Sequence, residues 1–157
     1  MHVNQTAQYA LRVLMEMAKM PRGTVARAQD LSRTTGVPAA YLSKILRRLV
    51  KKGLVEARKG HGGGFSLKRR LEKIRLLDVL AAVGGDLERD QCIFGIGRCD
   101  ARDPCPLHHS WSGLNDAFHS WSRRTTLRDL QGTALRRRRA RPRATPRPRA
   151  RPRARAR

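Results

Sequence analysis

Between Pro38 and Leu67 the chain carries a pattern that few folds accommodate. Leu42, Ile45, Leu46 and Leu49 recur at i, i+3, i+4 and i+7, the spacing that gathers side chains on one face of a helix. Pro38 suits the first turn of that helix, where its missing N–H has no intrahelical partner in any case. Gly53 follows the stripe as the residue that ends a helix by adopting left-handed backbone. Residues 54–57 then read as a strand, 58–64 as a basic, glycine-rich loop and 65–67 as the returning strand. Upstream, residues 26–35 form a second short helix stopped by Gly36. Two helices joined by a tight glycine turn and followed by a small hairpin make a winged helix-turn-helix.

The flanking segments extend this frame. Residues 5–20 lack Gly and Pro, and Tyr9, Val13 and Met17 recur at helical spacing beside Ala10, Leu14 and Ala18. Asn4 is the N-cap, and Pro21 and Gly23 end the element. A further helix is predicted over 76–83, ended by Gly84 and Gly85. Farther on, Leu107, Trp111, Leu114, Phe118 and Trp121 repeat with steps of 4, 3, 4 and 3. That period of 3.5 is the seam that pairs one helix with another. The partner is either the chain's own domain or a second copy, and two tryptophans on the stripe favour a second copy. Thr126 and Asp129 resemble a capping box opening a last short turn.

The fold class expected is therefore mainly α with one small β-hairpin. Residues 1–84 form a winged helix-turn-helix, 85–106 a cysteine loop, and 107–132 a dimerisation helix with a short C-terminal turn. Residues 133–157 are an Arg/Pro-rich tail, too poor in apolar residues to pack and expected to be disordered.

Charge points to the partner. The chain has 35 basic and 12 acidic residues, a net of +23, and twelve of the arginines lie in 136–157. The remaining 135 residues still carry +11, a field that draws polyanions, nucleic acid first. No apolar run approaches the roughly 20 residues that span a bilayer, and the N-terminus lacks a secretory signal pattern. The chain is thus expected to be cytoplasmic, with no membrane partner and no small-molecule substrate. No Ser-His-Asp set, phosphate-binding loop or carboxylate pair points to an enzyme.

In a winged helix-turn-helix the second helix of the motif fits the major groove, and its N-terminal half reaches base edges. Ala40, Tyr41, Ser43, Lys44 and Arg47 are the candidates there. Arg58, Lys59, His61, Gly62 and Gly63 form the wing, set against phosphates or a minor groove, where glycine permits close backbone approach.

Cys92, Cys99 and Cys105 lie within 14 residues, spaced Cys-x6-Cys-x5-Cys. An odd, clustered count in a reducing compartment points to a metal or redox site rather than a disulfide framework. Structural zinc sites usually carry a Cys-x2–4-Cys knuckle, which is missing, whereas the wider loops suit an iron–sulfur cluster. Such a cluster normally takes four ligands. Of the two histidines beyond Cys105, His108 flanks the apolar seam and His109 points away, so His108 is the fourth candidate.

These features together resemble the IscR/NsrR-type family of bacterial winged-helix iron–sulfur regulators. The resemblance runs from Met1 to about Leu130 and rests on residues 9–14, 41–46 and 53–55, the wing 60–65, and 126–130. It implies cluster ligation by Cys92, Cys99 and Cys105, with His108 matching the histidine that completes the cluster in one branch. Another branch uses a first-helix carboxylate, where this chain has Gln8. The first cysteine gap is one residue longer than in some members, leaving 2Fe–2S and 4Fe–4S both open, and Lys59 stands where arginine is common. The expected function is a sequence-specific regulator, a repressor first. As a homodimer it would bind a pseudo-palindromic double-stranded operator with cluster-dependent affinity. The alternatives are a winged-helix regulator with free thiols or zinc, and a non-specific DNA-compacting protein.

Overall fold

A computed structural model describes residues 3–85, 92, 94 and 98–131 of the chain. The expected tail, and residues 86–91, 93 and 95–97 of the expected cysteine loop, lie outside the described residues.

The first helix, α1 (Gln5–Ala18), starts where Asn4 accepts the Ala7 N–H on its side chain at 2.8 Å, and it buries Ala7, Ala10, Val13, Leu14, Met17 and Ala18. Helix α2 (Ala28–Thr35) ends on Gly36, whose φ of 69° is left-handed backbone that a side chain would strain. Helix α3 (Ala39–Lys51) follows, with Pro38 as its N-cap rather than its first helical residue. Leu42, Ile45, Leu46 and Leu49 are the buried face of α3, as their spacing required. Burying each such side chain stabilises the fold by about 1.5–3 kcal/mol.

The hairpin consists of β1 (Val55–Arg58) and β2 (Gly64–Leu67), antiparallel, with Glu56 opposite Ser66 and Arg58 opposite Gly64. Helix α2 begins two residues later than its sequence pattern implied. Ala26 is not helical because Phe65 takes both its backbone groups, at 2.8 and 2.9 Å, forming a bridge onto the hairpin. A short 3-10 turn (Leu71–Lys73) leads to α4 (Leu76–Val83), then to α5 (His108–Arg124) and α6 (Leu127–Gln131).

Helix α5 packs on α4 and is anchored at its far end. There Leu76 N–H donates to the Thr125 carbonyl at 2.8 Å and Leu127 N–H to the Ile74 carbonyl at 2.9 Å. Leu127 enters the main core beside α1 and α4. Asp129 accepts from both the backbone and the hydroxyl of Thr126, at 2.8 and 2.7 Å, which is the capping arrangement expected at the start of α6.

Candidate nucleic-acid interface and cysteine pair

Burying one stripe of α3 leaves the opposite stripe to solvent. Ala40, Tyr41, Ser43, Lys44 and Arg47 are all exposed, on the face the sequence assigned to base edges. Tyr41 is 51% exposed yet not loose: its ring meets Tyr9 of α1 edge-on, centroids 6.0 Å apart. Arg12 lies over the same Tyr9 ring at 5.7 Å, adding a cation beside α3 that the sequence pattern had not singled out. Ser43 Oγ donates to the Ala39 carbonyl at 3.2 Å, which leaves the oxygen's lone pairs able to accept. Arg48 faces away from this surface and donates to the Val83 carbonyl at 2.9 Å, closing the C-terminus of α4.

The wing is braced from beneath. Ser66 is fully buried and its hydroxyl donates to Glu56 at 2.7 Å, and Arg58 reaches the same carboxylate oxygen at 3.4 Å. The Ser66 hydroxyl is the main reason the Glu56 carboxyl is held below its ordinary range, with Arg58 and Lys68 adding to it against some desolvation. Glu56 thereby steers Arg58 while the guanidinium stays exposed. At the tip, Gly63 N–H donates to the Gly60 carbonyl at 2.9 Å. A Cβ on Gly63 would collide with the Arg58 and Gly60 carbonyls, so the turn admits only glycine there. His61 and Gly62 are exposed and Gly63 half-buried. Arg27, the α2 N-cap, lines a shallow depression with residues 60–63. Its position was hidden because a sequence pattern places it inside a helix rather than at the joint between bridge and helix.

Of the proposed cluster ligands, Cys99 and His108 are brought together, Sγ to Nδ1 at 3.2 Å. His108 is buried at the start of α5, whereas His109 is exposed. Cys105 sits one turn before His108, its carbonyl accepting the His108 N–H at 2.9 Å, and its side chain is half-buried, while Cys92 is buried. Among the described residues, no three His, Cys, Asp or Glu side chains form a group that could hold a metal ion. The donor chemistry, three thiols and an imidazole, fits an iron–sulfur group, and one donor pair is already adjacent. Gln8 turns elsewhere, donating to the Val3 carbonyl at 2.8 Å.

The seam of α5 divides. Leu107, Leu114 and Trp121, seven residues apart, are 43%, 52% and 48% exposed. Trp111 and Phe118 are half-buried, Phe118 against the core. The face turned fully inward is instead the polar line His108, Asn115 and Ser122.

Two helices joined at Gly36, the second with one buried stripe, and a braced basic hairpin define a winged helix-turn-helix. Residues 3–133 match the family model of the Rrf2 iron-dependent transcriptional regulators, and the chain belongs to that family. The family comprises transcriptional regulators, not enzymes. The chain is 30% identical over 129 residues to a protein of Aquifex aeolicus described as an HTH-type transcriptional regulator, covering 81% of this chain and 89% of that one. It is 28% identical over 130 residues to the regulator IscR of Escherichia coli, covering 83% and 80%. Among solved structures, the global cysteine regulator CymR of B. subtilis superposes with a TM-score of 0.71 at 22% identity, over 84% of this chain and 97% of that one. IscR of T. potens superposes with a TM-score of 0.68 at 19% identity, over 84% and 87%. These two likenesses bear on the fold. No helix among the described residues is long and apolar enough to cross a membrane.

Proposed function

We propose that this regulator is a cytoplasmic, homodimeric repressor that reads a pseudo-palindromic operator, with an affinity set by an iron–sulfur cluster. The observation that carries the cluster is the Cys99–His108 pair at the first turn of α5. Cys92, Cys99, Cys105 and His108 would hold the group, which when bound supplies a centre that responds to oxidants or to iron supply. The chain's own part is mechanical. His108 is the first residue of α5, the helix that packs on α4, and Arg48 ties α4 to the reading helix α3. A change in the cysteine segment thus has a continuous packed route to α3, through which it can shift an equilibrium between DNA-competent and incompetent arrangements.

In this reading Ala40, Tyr41, Ser43, Lys44 and Arg47 meet base edges. Arg58, Lys59, His61, Gly62 and Gly63 meet the backbone or minor groove. Leu107, Trp111, Leu114, Phe118 and Trp121 meet the second copy. Support for the dimer is the exposed apolar line on α5, which a single domain leaves in water.

A second reading keeps the DNA-binding dimer but makes the cysteines cluster-free thiols. It draws on the lack of a three-donor group among the described residues, and on the structural likeness to a cysteine regulator. Anaerobic purification with iron, sulfide and zinc analysis separates the two. Stoichiometric iron and sulfide with visible absorption, lost in Cys99→Ala and His108→Ala, is the outcome expected. Zinc alone, or no metal at all, would refute the cluster.

A further inference from the structure

A cleft outside the proposed DNA-facing surface lies beside the end of the wing's returning strand. It measures about 260 Å³ and is enclosed by the end of α1, the 21–24 turn, the end of β2, the 3-10 turn and α6. Its floor is apolar: Met17 and Ala18 are buried, and Met20, Leu67 and Leu71 are half-buried against the core. Its rim is cationic. Arg22, Arg69, Arg70 and Arg128 line it with a single carboxylate, Glu72. Glu72 faces Arg128 at 3.8 Å, and Arg69 reaches the Lys52 carbonyl at 3.5 Å. Among the described residues no acidic group pairs with Arg22, Arg69 or Arg70.

We infer that this cleft binds a small organic anion, an apolar body of a few carbons carrying a carboxylate or phosphate head. Three considerations converge on that class. Four guanidinium groups line one opening with one carboxylate among them, a cationic rim, and guanidinium forks match carboxylate and phosphate oxygens. An inorganic anion alone would leave the methionine and leucine floor wet, whereas an apolar body covers it, and methionine adapts to varied shapes. The volume falls just below the roughly 300 Å³ at which drug-sized sites begin, which suits a body of only a few carbons.

The cleft's walls also explain what occupancy would do. Leu67 ends β2 of the wing, and Arg128 and Gln131 belong to α6, the helix that follows α5. Gln131 already ties α6 to the α1 terminus by donating to the Ala18 carbonyl at 2.9 Å. A ligand bridging the rim would fix the wing's root relative to the element that trails the α5 helix, a coupling separate from the cysteines.

The test is calorimetric titration of the full-length protein, without DNA, using acetate, inorganic phosphate, 1-hexanol, hexanoate and hexyl phosphate. Hexanoate should bind far more tightly than acetate, each added methylene contributing roughly fourfold, and more tightly than 1-hexanol. The ratio of hexanoate to hexyl phosphate identifies the preferred head group. Arg22→Glu combined with Arg70→Glu should remove the preference for the charged head, both residues being exposed and outside the core. Met20→Glu should remove the chain-length dependence instead. Equal affinity for acetate and hexanoate, or hexanoate binding unchanged by both variants, would overturn the proposal. Because the readout involves neither DNA nor metal, that failure is distinct from failure of the proposed regulatory function.

Discussion

Arg47 and Arg48 are neighbours on one helix with different surroundings, and their separate replacement by Met tests how the structure divides binding from folding. Arg48 donates to the Val83 carbonyl at the C-terminus of α4, a hydrogen bond from a charged group to a helix's negative end. Such bonds contribute about 1.5–3 kcal/mol when well shielded. Arg48 is an exposed residue and the bond only partly buried, so solvent screening reduces the expectation to about 1–2 kcal/mol. Arg47 is exposed and tied to no other group among the described residues, so Arg47→Met should change stability by less than about 0.5 kcal/mol. Urea denaturation followed by circular dichroism resolves the two. In DNA titrations the order reverses: Arg47→Met should weaken binding and flatten its salt dependence, whereas Arg48→Met should retain the salt slope of the unaltered protein. Equal destabilisation by both, or a flattened salt slope in Arg48→Met alone, would refute the assignment of these faces.

Three further outcomes follow from other parts of the molecule. Leu114→Glu with Trp121→Glu should yield a folded monomer in sedimentation at micromolar concentration, and an unaltered protein that is itself monomeric there would contradict the pairing role of α5. Gly63→Ala should loosen the wing and lower DNA affinity several-fold with little change in global stability, since a Cβ there collides only with the wing's own backbone; unchanged affinity in a binding titration would count against it. The Thr126 hydroxyl, then the Thr126 N–H, hold the Asp129 carboxyl below its ordinary range. Its contribution to stability is therefore complete above the unfolded aspartate value, about pH 4, and is lost as pH falls through the lowered folded value. Asp129→Asn should make acid unfolding less steep in that window, as read by fluorescence.

The parts of this fold legible in the sequence are those fixed by local periodicity. The stripe on α3 could be read because four leucine-type residues at helical spacing have one way to be buried together. The caps of α1 and α6 were legible because Asn4 and the Thr126–Asp129 pair act within one turn. Non-local pairing was not. Ala26 looks helical by its neighbours, yet a backbone bridge to Phe65, 39 positions away, claims it for the hairpin. The α5 seam was legible as a pattern but not in its division. Whether Phe118 or Leu114 faces the domain depends on where α4 lies, and it is the polar line of His108, Asn115 and Ser122 that turns inward. Arg12, Arg27 and the rim of the α1–α6 cleft gain meaning only when distant segments meet. Single basic residues in a chain this basic carry little information by themselves.

Specific reading by a symmetric pair of α3 helices is the claim on which the rest depends, and selection from a random duplex pool tests it most directly. Full-length protein purified anaerobically would be used to enrich bound duplexes, side by side with Lys44→Ala. The unaltered protein should enrich a two-fold-symmetric consensus with half-sites about one or two helical turns apart. Lys44→Ala should relax the same base position in both half-sites, as the loss of a contact worth about 1–3 kcal/mol of discrimination would produce. No consensus, or an identical consensus from the two proteins with Lys44 replaced in one, would contradict α3 as the reading element.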